Sequence, residues 1–236
     1  MFSFRSFSII EGGSTAEALL DLTGEGAETI NLQTEVYQRL KAGGQLEKTL
    51  KKWKKARFLM GVSHFHDGAG VEEKGKNGIL AGHAYSVLDI KNPTTEKGFL
   101  GVLGNKHTVL IKVRNPWGEE EWTGAWSDGS PQWTPAIRKQ LKHEDKNDGV
   151  FWMDMDDFFS EFNRFSIVRM YSHRFSVFDH KWHSFHFVGE WDEWTSGGCM
   201  NHESWIKNPQ FSLEVMDEKE PTVVFIYVSQ PDRRLH

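Results

Sequence analysis

Cysteine is almost missing from this sequence: the 236 residues contain one, Cys199. A single thiol excludes an intramolecular disulfide framework and points to a reducing compartment. Long apolar runs are missing too, and none approaches the ~20 residues of a membrane-spanning helix. The opening Met1-Phe2-Ser3-Phe4-Arg5 lacks the apolar centre of a secretory leader, so the expectation is a cytoplasmic protein with no transmembrane segment. Charge of one sign is not in excess. With 28 Lys and Arg against 33 Asp and Glu, the net charge of -5 gives no footprint for nucleic acid or an anionic membrane as partner. The basic run Lys51, Lys52, Lys54, Lys55, Arg57 reads as the solvated face of a helix. Internal repeats and low-complexity segments are absent as well. Aromatic side chains, by contrast, are abundant: 10 Trp and 17 Phe argue against disorder and for a well-filled core.

Local patterns place the elements. Ser14-Thr15-Ala16-Glu17 has the form of a capping box ahead of a short helix through Leu19 and Leu20 that stops near Gly24. A second helix is expected over 33–42, with Val36, Leu40 and Tyr37 facing inward, and a third from about Leu46. Strands are expected at 58–62, 83–90, 107–113, 150–153 and 165–171. Thr134-Pro135 provides a capping hydroxyl and a first-turn proline for a helix to about Lys142, and a further helix is expected over 156–162. The Gly-rich stretch 67–78 reads as a polar loop. Beyond Ser172 only short β-type runs remain, at 182–191, 211–215 and 223–228.

Two residues carry the chemistry. His83 lies in Gly82-His83-Ala84-Tyr85-Ser86-Val87, and Asn115 lies in Val113-Arg114-Asn115-Pro116-Trp117-Gly118. An imidazole that accepts a thiol proton, an amide that orients the ring and a Trp that excludes water make the base half of a thiol protease site. These motifs, followed by Glu121-Trp122-Thr123-Gly124-Ala125-Trp126-Ser127-Asp128, resemble the calpains, calcium-dependent cysteine proteases with a papain-like core. The resemblance runs from about Gly12 to about Phe211. It implies an α+β fold: a papain-like second subdomain, an antiparallel sheet with helices, over 1–172, then a partial β-sandwich over 173–236. It also implies general-base and orienting roles for His83 and Asn115 and a shielding role for Trp117. The loop near 67–78 would gate the cleft. No segment resembles the Gly-Asp-Cys-Trp-like nucleophile motif of the first calpain subdomain.

The resemblance further implies that Glu121, Asp128 and Asp148 are side-chain ligands of one calcium ion, with a carbonyl near Lys146. Oxygen ligands from two loops suit that hard cation. At one position the pattern departs: the usual glutamate after Gly149 is Val150, which removes a carboxylate. An EF-hand does not replace the site, because Met155 falls where the bidentate Glu should be.

Other candidates fail on context. Cys199 lies downstream of both partners, in a Gly-Gly-Cys motif resembling the β-sandwich, and no Gly-x-Ser-x-Gly elbow offers a serine. Gly70 to Asn77 approximates a phosphate loop but lacks the preceding strand and the Ser or Thr for magnesium. His64 and His66 with His83, or His180, His183 and His186, lack the spacing of a zinc family. The expectation is therefore the His/Asn half of a calpain-like endopeptidase, inactive alone, with protein substrates if a Cys-bearing subdomain completes it. The alternative is a non-catalytic protein that binds calcium or a partner.

Overall fold

The structure, a computed structural model, describes residues 13–65, 73–94, 108–170, 183–216 and 222–228. The described residues fall into two units that divide between residues 171 and 172.

The first unit is built on one six-stranded sheet. In chain order its elements are α1 (Thr15–Thr23), β1 (Ala27–Asn31), α2 (Glu35–Ala42), α3 (Gln45–Lys55) and β2 (Leu59–Ser63). There follow the short pair β3 (Glu73–Lys74) and β4 (Leu80–Ala81), then β5 (Ala84–Lys91), β6 (Leu110–Arg114), α4 (Pro135–Leu141), β7 (Val150–Asp154), α5 (Met155–Glu161) and β8 (Arg164–Val168). The order across the sheet is β1-β8-β2-β5-β6-β7, and each neighbouring pair is antiparallel. This is the α+β protease-core arrangement expected from the sequence.

Alternation along the strands covers both faces. Ile111 and Val113 of β6, with Phe151 and Met153 of β7, join the main core, alongside Tyr85, Phe158, Phe162, Phe165 and Ile167. Leu110 and Trp152, one residue out of phase, pack instead with Trp126, Trp133 and Ile137 in a smaller cluster on the other face. A period of two thus gives the edge containing β6 and β7 an apolar layer on each side. Three of the ten tryptophans, Trp126, Trp133 and Trp152, belong to this second layer.

Several expectations are refined. α1 starts after Ser14 and ends at Gly24, whose φ of 68° lets its N–H reach the Leu20 carbonyl, but Ser14 makes no side-chain capping bond. In α2, Tyr37 and Leu40 pack on the core while Val36 is exposed, because the helix lies on only a narrow stripe. β1 is an unanticipated edge strand, with Ile30 as its one buried residue. Thr134 does cap α4, accepting from the Ile137 N–H at 3.3 Å.

In the second unit, the described residues form one 3-10 segment, Glu203–Lys207, and no β-ladder. The β-type runs expected at 182–191, 211–215 and 223–228 are irregular where they are described, with Val188 96 % exposed. Residue 182 lies outside the described residues. Strand ladders need paired edges and a covered face. Neither is met there: Phe187, Val188, Leu213, Ile226 and Val228 are all exposed. Among the described residues, no helix is long and apolar enough to cross a membrane.

Candidate active site

His83 sits at the left-handed turn that opens β5, just after Gly82 (φ 72°), and Asn115 directly follows β6. Because β5 and β6 are hydrogen-bonded neighbours, with Ser86 opposite Arg114, the sheet brings the two residues to the same end. Both are buried, His83 at 6 % and Asn115 at 0 % exposure. Their side chains meet: His83 Nε2 lies 2.9 Å from Asn115 Oδ1.

The surroundings fix the direction of that bond. Asn115 Nδ2 donates to the carbonyls of Glu119 (2.7 Å) and Glu120 (3.1 Å), which places the amide NH2 unambiguously. Oδ1 therefore faces His83 and also accepts the Trp117 N–H at 3.0 Å. An amide oxygen cannot donate, so Nε2 carries the proton, and Nδ1 is the basic nitrogen of the neutral ring. Glu120 makes this possible at some conformational cost. Its φ of 58° lies in the left-handed region, costing about 1–2 kcal/mol for an L-residue, and turns the 119–120 carbonyls onto Asn115.

Aromatic rings complete the pocket. The Trp117 ring lies 4.4 Å from the His83 ring, tilted by 49°, and remains 53 % exposed. Tyr85 meets His83 edge-on at 5.0 Å, and its hydroxyl accepts the Leu80 N–H at 2.8 Å. The imidazole thus lies against the buried Tyr85 ring and the half-exposed Trp117 ring.

The acidic residues lie on the adjacent loops. Glu121 Oε1 accepts the N–H groups of Asp148 (3.0 Å) and Gly149 (2.8 Å). Asp128 Oδ2 accepts from Lys146 N at 2.8 Å, and Asp148 Oδ1 accepts from Val150 N at 3.0 Å. Each carboxylate therefore uses one oxygen on the backbone. Asp128 Oδ1 is buried without a hydrogen-bond partner. Burial raises the Glu121 pKa above its ordinary value, and the charges of Asp128 and Asp148 add to the rise. Burial likewise raises Asp128, with Asp145 and Asp148 contributing repulsion.

Among the described residues, however, the trio whose ligand atoms lie within 4.8 Å of one another is Asp128, His143 and Asp145. Glu121, Asp128 and Asp148 are not drawn together that closely. His143 Nε2 lies 3.0 Å from Asp145 and 3.6 Å from Asp128, and its ring stacks on Trp133 at 3.8 Å. Burial lowers the His143 pKa, whereas the Arg138 hydrogen bond holds Asp145 down to about 2. Sequence reasoning missed this pair. Its one available signal was the density of charge in His143-Glu144-Asp145-Lys146.

Cys199, the chain's single cysteine, is exposed and lies in the second unit. His64, weighed above for zinc, instead places Nδ1 2.6 Å from the Glu161 carbonyl. His66, His180 and residues 67–72 of the 67–78 loop lie outside the described residues. Within that loop, Glu73–Lys74 pairs with Leu80–Ala81, and Lys74 reaches Glu120 at 2.8 Å.

Comparison with known proteins follows the same division. Residues 3–169 match the calpain family of cysteine proteases, and residues 187–236 match domain III of the calpain large subunit. The chain is 36 % identical over 230 residues to the calpain-type cysteine protease DEK1 of Arabidopsis thaliana, covering 95 % of this chain and 10 % of that protein. It is 30 % identical over 241 residues to mouse calpain-5, covering 97 % of this chain and 37 % of the relative. It is 36 % identical over 231 residues to the bovine calpain-1 catalytic subunit, with 92 % and 29 % covered. The chain spans well under half the length of each of these relatives.

Proposed function

The chain belongs to the calpain family of cysteine proteases, and from that premise we propose that it supplies the His/Asn half of a calpain-type endopeptidase site. The observation that carries this reading is the buried 2.9 Å bond from His83 Nε2 to Asn115 Oδ1. It leaves Nδ1 as the base for a thiol that this unit does not contain.

In a site completed by a Cys-bearing subdomain, His83 Nδ1 takes the thiol proton, and the ion pair is stabilised because Asn115 holds the ring by its other nitrogen. The thiolate adds to a peptide carbonyl carbon. As the C–N bond breaks, the imidazolium returns the proton to the departing amine, leaving a thioester. Nδ1 then takes a proton from water, the hydroxide attacks the thioester, and the released sulfur recovers the proton. Trp117 limits water access to the His83–Asn115 bond. Substrates are protein segments that can enter extended at this end of the sheet.

Calcium is the cofactor this reading implies. Hard oxygen donors on two loops, carboxylates that repel one another and a buried Asp128 Oδ1 that accepts no hydrogen bond fit such a cation. Glu121, Asp128 and Asp148 would hold it, through the oxygens not engaged by backbone N–H groups. Bound there, the ion supplies positive charge that relieves their repulsion. That residues 1–171 contain no cysteine favours a second reading, in which the chain binds calcium or a partner without catalysis.

A fluorogenic peptide assay with millimolar calcium and reductant separates the two. The chain alone should not exceed a His83→Ala control, since losing a nucleophile typically costs ~10⁶-fold in turnover. Adding a separately produced Cys-bearing calpain subdomain should restore cleavage that His83→Ala abolishes. Turnover by the chain alone that depends on His83 refutes the half-site reading. Complementation that fails with a correctly associated partner favours the non-catalytic one.

A further inference from the structure

Asn115 is held by more than its amide contacts. Its backbone N–H donates to the Gly149 carbonyl at 2.8 Å. The Gly149 N–H in turn donates to Glu121 Oε1 at 2.8 Å. Glu121 follows Glu119 and Glu120, whose carbonyls receive Asn115 Nδ2. The hydrogen bonds therefore close a ring: Asn115 backbone, Gly149, Glu121 side chain, the 119–120 backbone, Asn115 side chain. Gly149 lies at the narrowest point. With φ at 76°, a Cβ there would sit 2.7 Å from the Asn115 oxygen, 2.9 Å from Gly118 Cα and 3.1 Å from Glu119 N.

We propose that Glu121, acting through the Gly149 backbone, is a positioning residue that sets Asn115 in register with His83 even when no metal is bound. This rests on the half-site reading above and adds to it a role for Glu121 separate from cation binding. The physical case is geometric. The 115–121 turn holds Glu120 at φ 58°, a left-handed conformation that an L-residue disfavours, so its own backbone does not favour the observed path. An external tie must hold it. Glu121 provides that tie because its single oxygen receives two N–H groups from the 148–149 turn, on the far side of Asn115. Charge-assisted acceptance of this kind is roughly twice as strong as a neutral hydrogen bond. A slack ring lets the Asn115 amide swing, and the first bond to lengthen is the one to His83.

The test needs no nucleophile, so its failure is distinct from failure of the protease reading. In the full chain, 15N-labelled and without calcium, NMR follows the His83 Nε2–H resonance, assigned by its loss in His83→Gln. Glu121→Ala should speed solvent exchange of that proton about tenfold or more, the scale of losing a charge-assisted hydrogen bond. Glu121→Gln, which keeps the acceptor oxygen but loses its charge, should speed exchange by a clearly smaller factor than Ala. Asp145→Asn, which removes a carboxylate from the neighbouring cluster without touching the ring, should leave exchange within about twofold of the native value. The proposal is overturned if Glu121→Ala leaves exchange unchanged, if Glu121→Gln is as damaging as Ala, or if Asp145→Asn matches it. Should Glu121→Ala fail to fold, native-chain hydrogen exchange decides. The Asn115 and Gly149 amides and the His83 imidazole proton must open with one common free energy, and separate openings overturn the ring.

Discussion

Alanine at Gly149 tests how much of the site rests on one close backbone approach. Two costs arise there. The first is conformational: an L-residue held at φ 76° costs about 1–2 kcal/mol. The second is steric, because the added Cβ meets three backbone atoms of the Asn115 turn at 2.7 to 3.1 Å, and backbone cannot move aside as a flexible side chain does. Overpacking of that kind adds about 1–3 kcal/mol. Gly129 supplies the control, since its φ is 72° but a Cβ there meets nothing within 4 Å. Gly129→Ala should therefore lose about 1–2 kcal/mol and Gly149→Ala about 2–5 kcal/mol. Urea unfolding of the full chain, followed by tryptophan fluorescence, measures both, and the difference isolates the collision. A Gly149→Ala loss no larger than that of Gly129→Ala would show that the turn is not packed against this glycine, and would refute the reasoning.

Three further expectations concern charge and stability. Calcium should bind weakly, at ~10⁻⁴–10⁻³ M, the range of sites with few charged ligands. By calorimetry, Val150→Glu should tighten binding and Asp128→Ala should abolish it; two unchanged affinities would remove the assignment. Because the Glu121 pKa is raised above 4.5, folding takes up a proton between 4.5 and the raised value, so native stability gains from this group as pH falls through that window. Glu121→Gln should thus melt above the native chain at neutral pH without calcium, with the gap closing toward pH 4.5; a gap that widens on acidification contradicts the sign. Finally, limited trypsin digestion should cut after the exposed Lys207 before it cuts within the six-stranded sheet, and mass spectrometry of the first fragments would show otherwise if the second unit is equally protected.

The sequence made some of this legible and concealed the rest for identifiable reasons. β5, β6 and β7 could be read because they are rich in Val, Ile and aromatic residues, buried on alternate positions at Tyr85 and Val87 and on successive ones in β6 and β7. The motifs around His83 and Asn115 named a pair, and the sheet joins those two residues. β1 was hidden because Ala-Glu-Thr-Ile-Asn buries only Ile30 and carries no periodic signal. Ser14 and Glu17 had the spacing of a capping box, yet the hydroxyl makes no capping bond, since spacing permits such a bond without requiring it. In the second unit the described residues form no ladder, for a different reason. Its runs have strand composition, but composition cannot supply the neighbouring strands that turn an extended segment into a sheet. Nor could sequence spacing reveal that Gly149 sits under the Asn115 turn, because that contact is made between separate loops.

The place of β8 in the sheet has a consequence for how this unit is made. Residues 164–168 are inserted between residues 27–31 and 59–63, pairing with both. The two earliest strands therefore have no bond to each other and stay unjoined until nearly the whole unit has left the ribosome. Such distant pairing incurs its loop-closure entropy before any contact repays it, which slows assembly and prolongs the exposure of unpaired edges. A nascent chain arrested before residue 164 would hold its histidine and asparagine strands side by side while β1 waited without a partner. Among the described strands of this unit, the last in chain order is the one that locks the first into place.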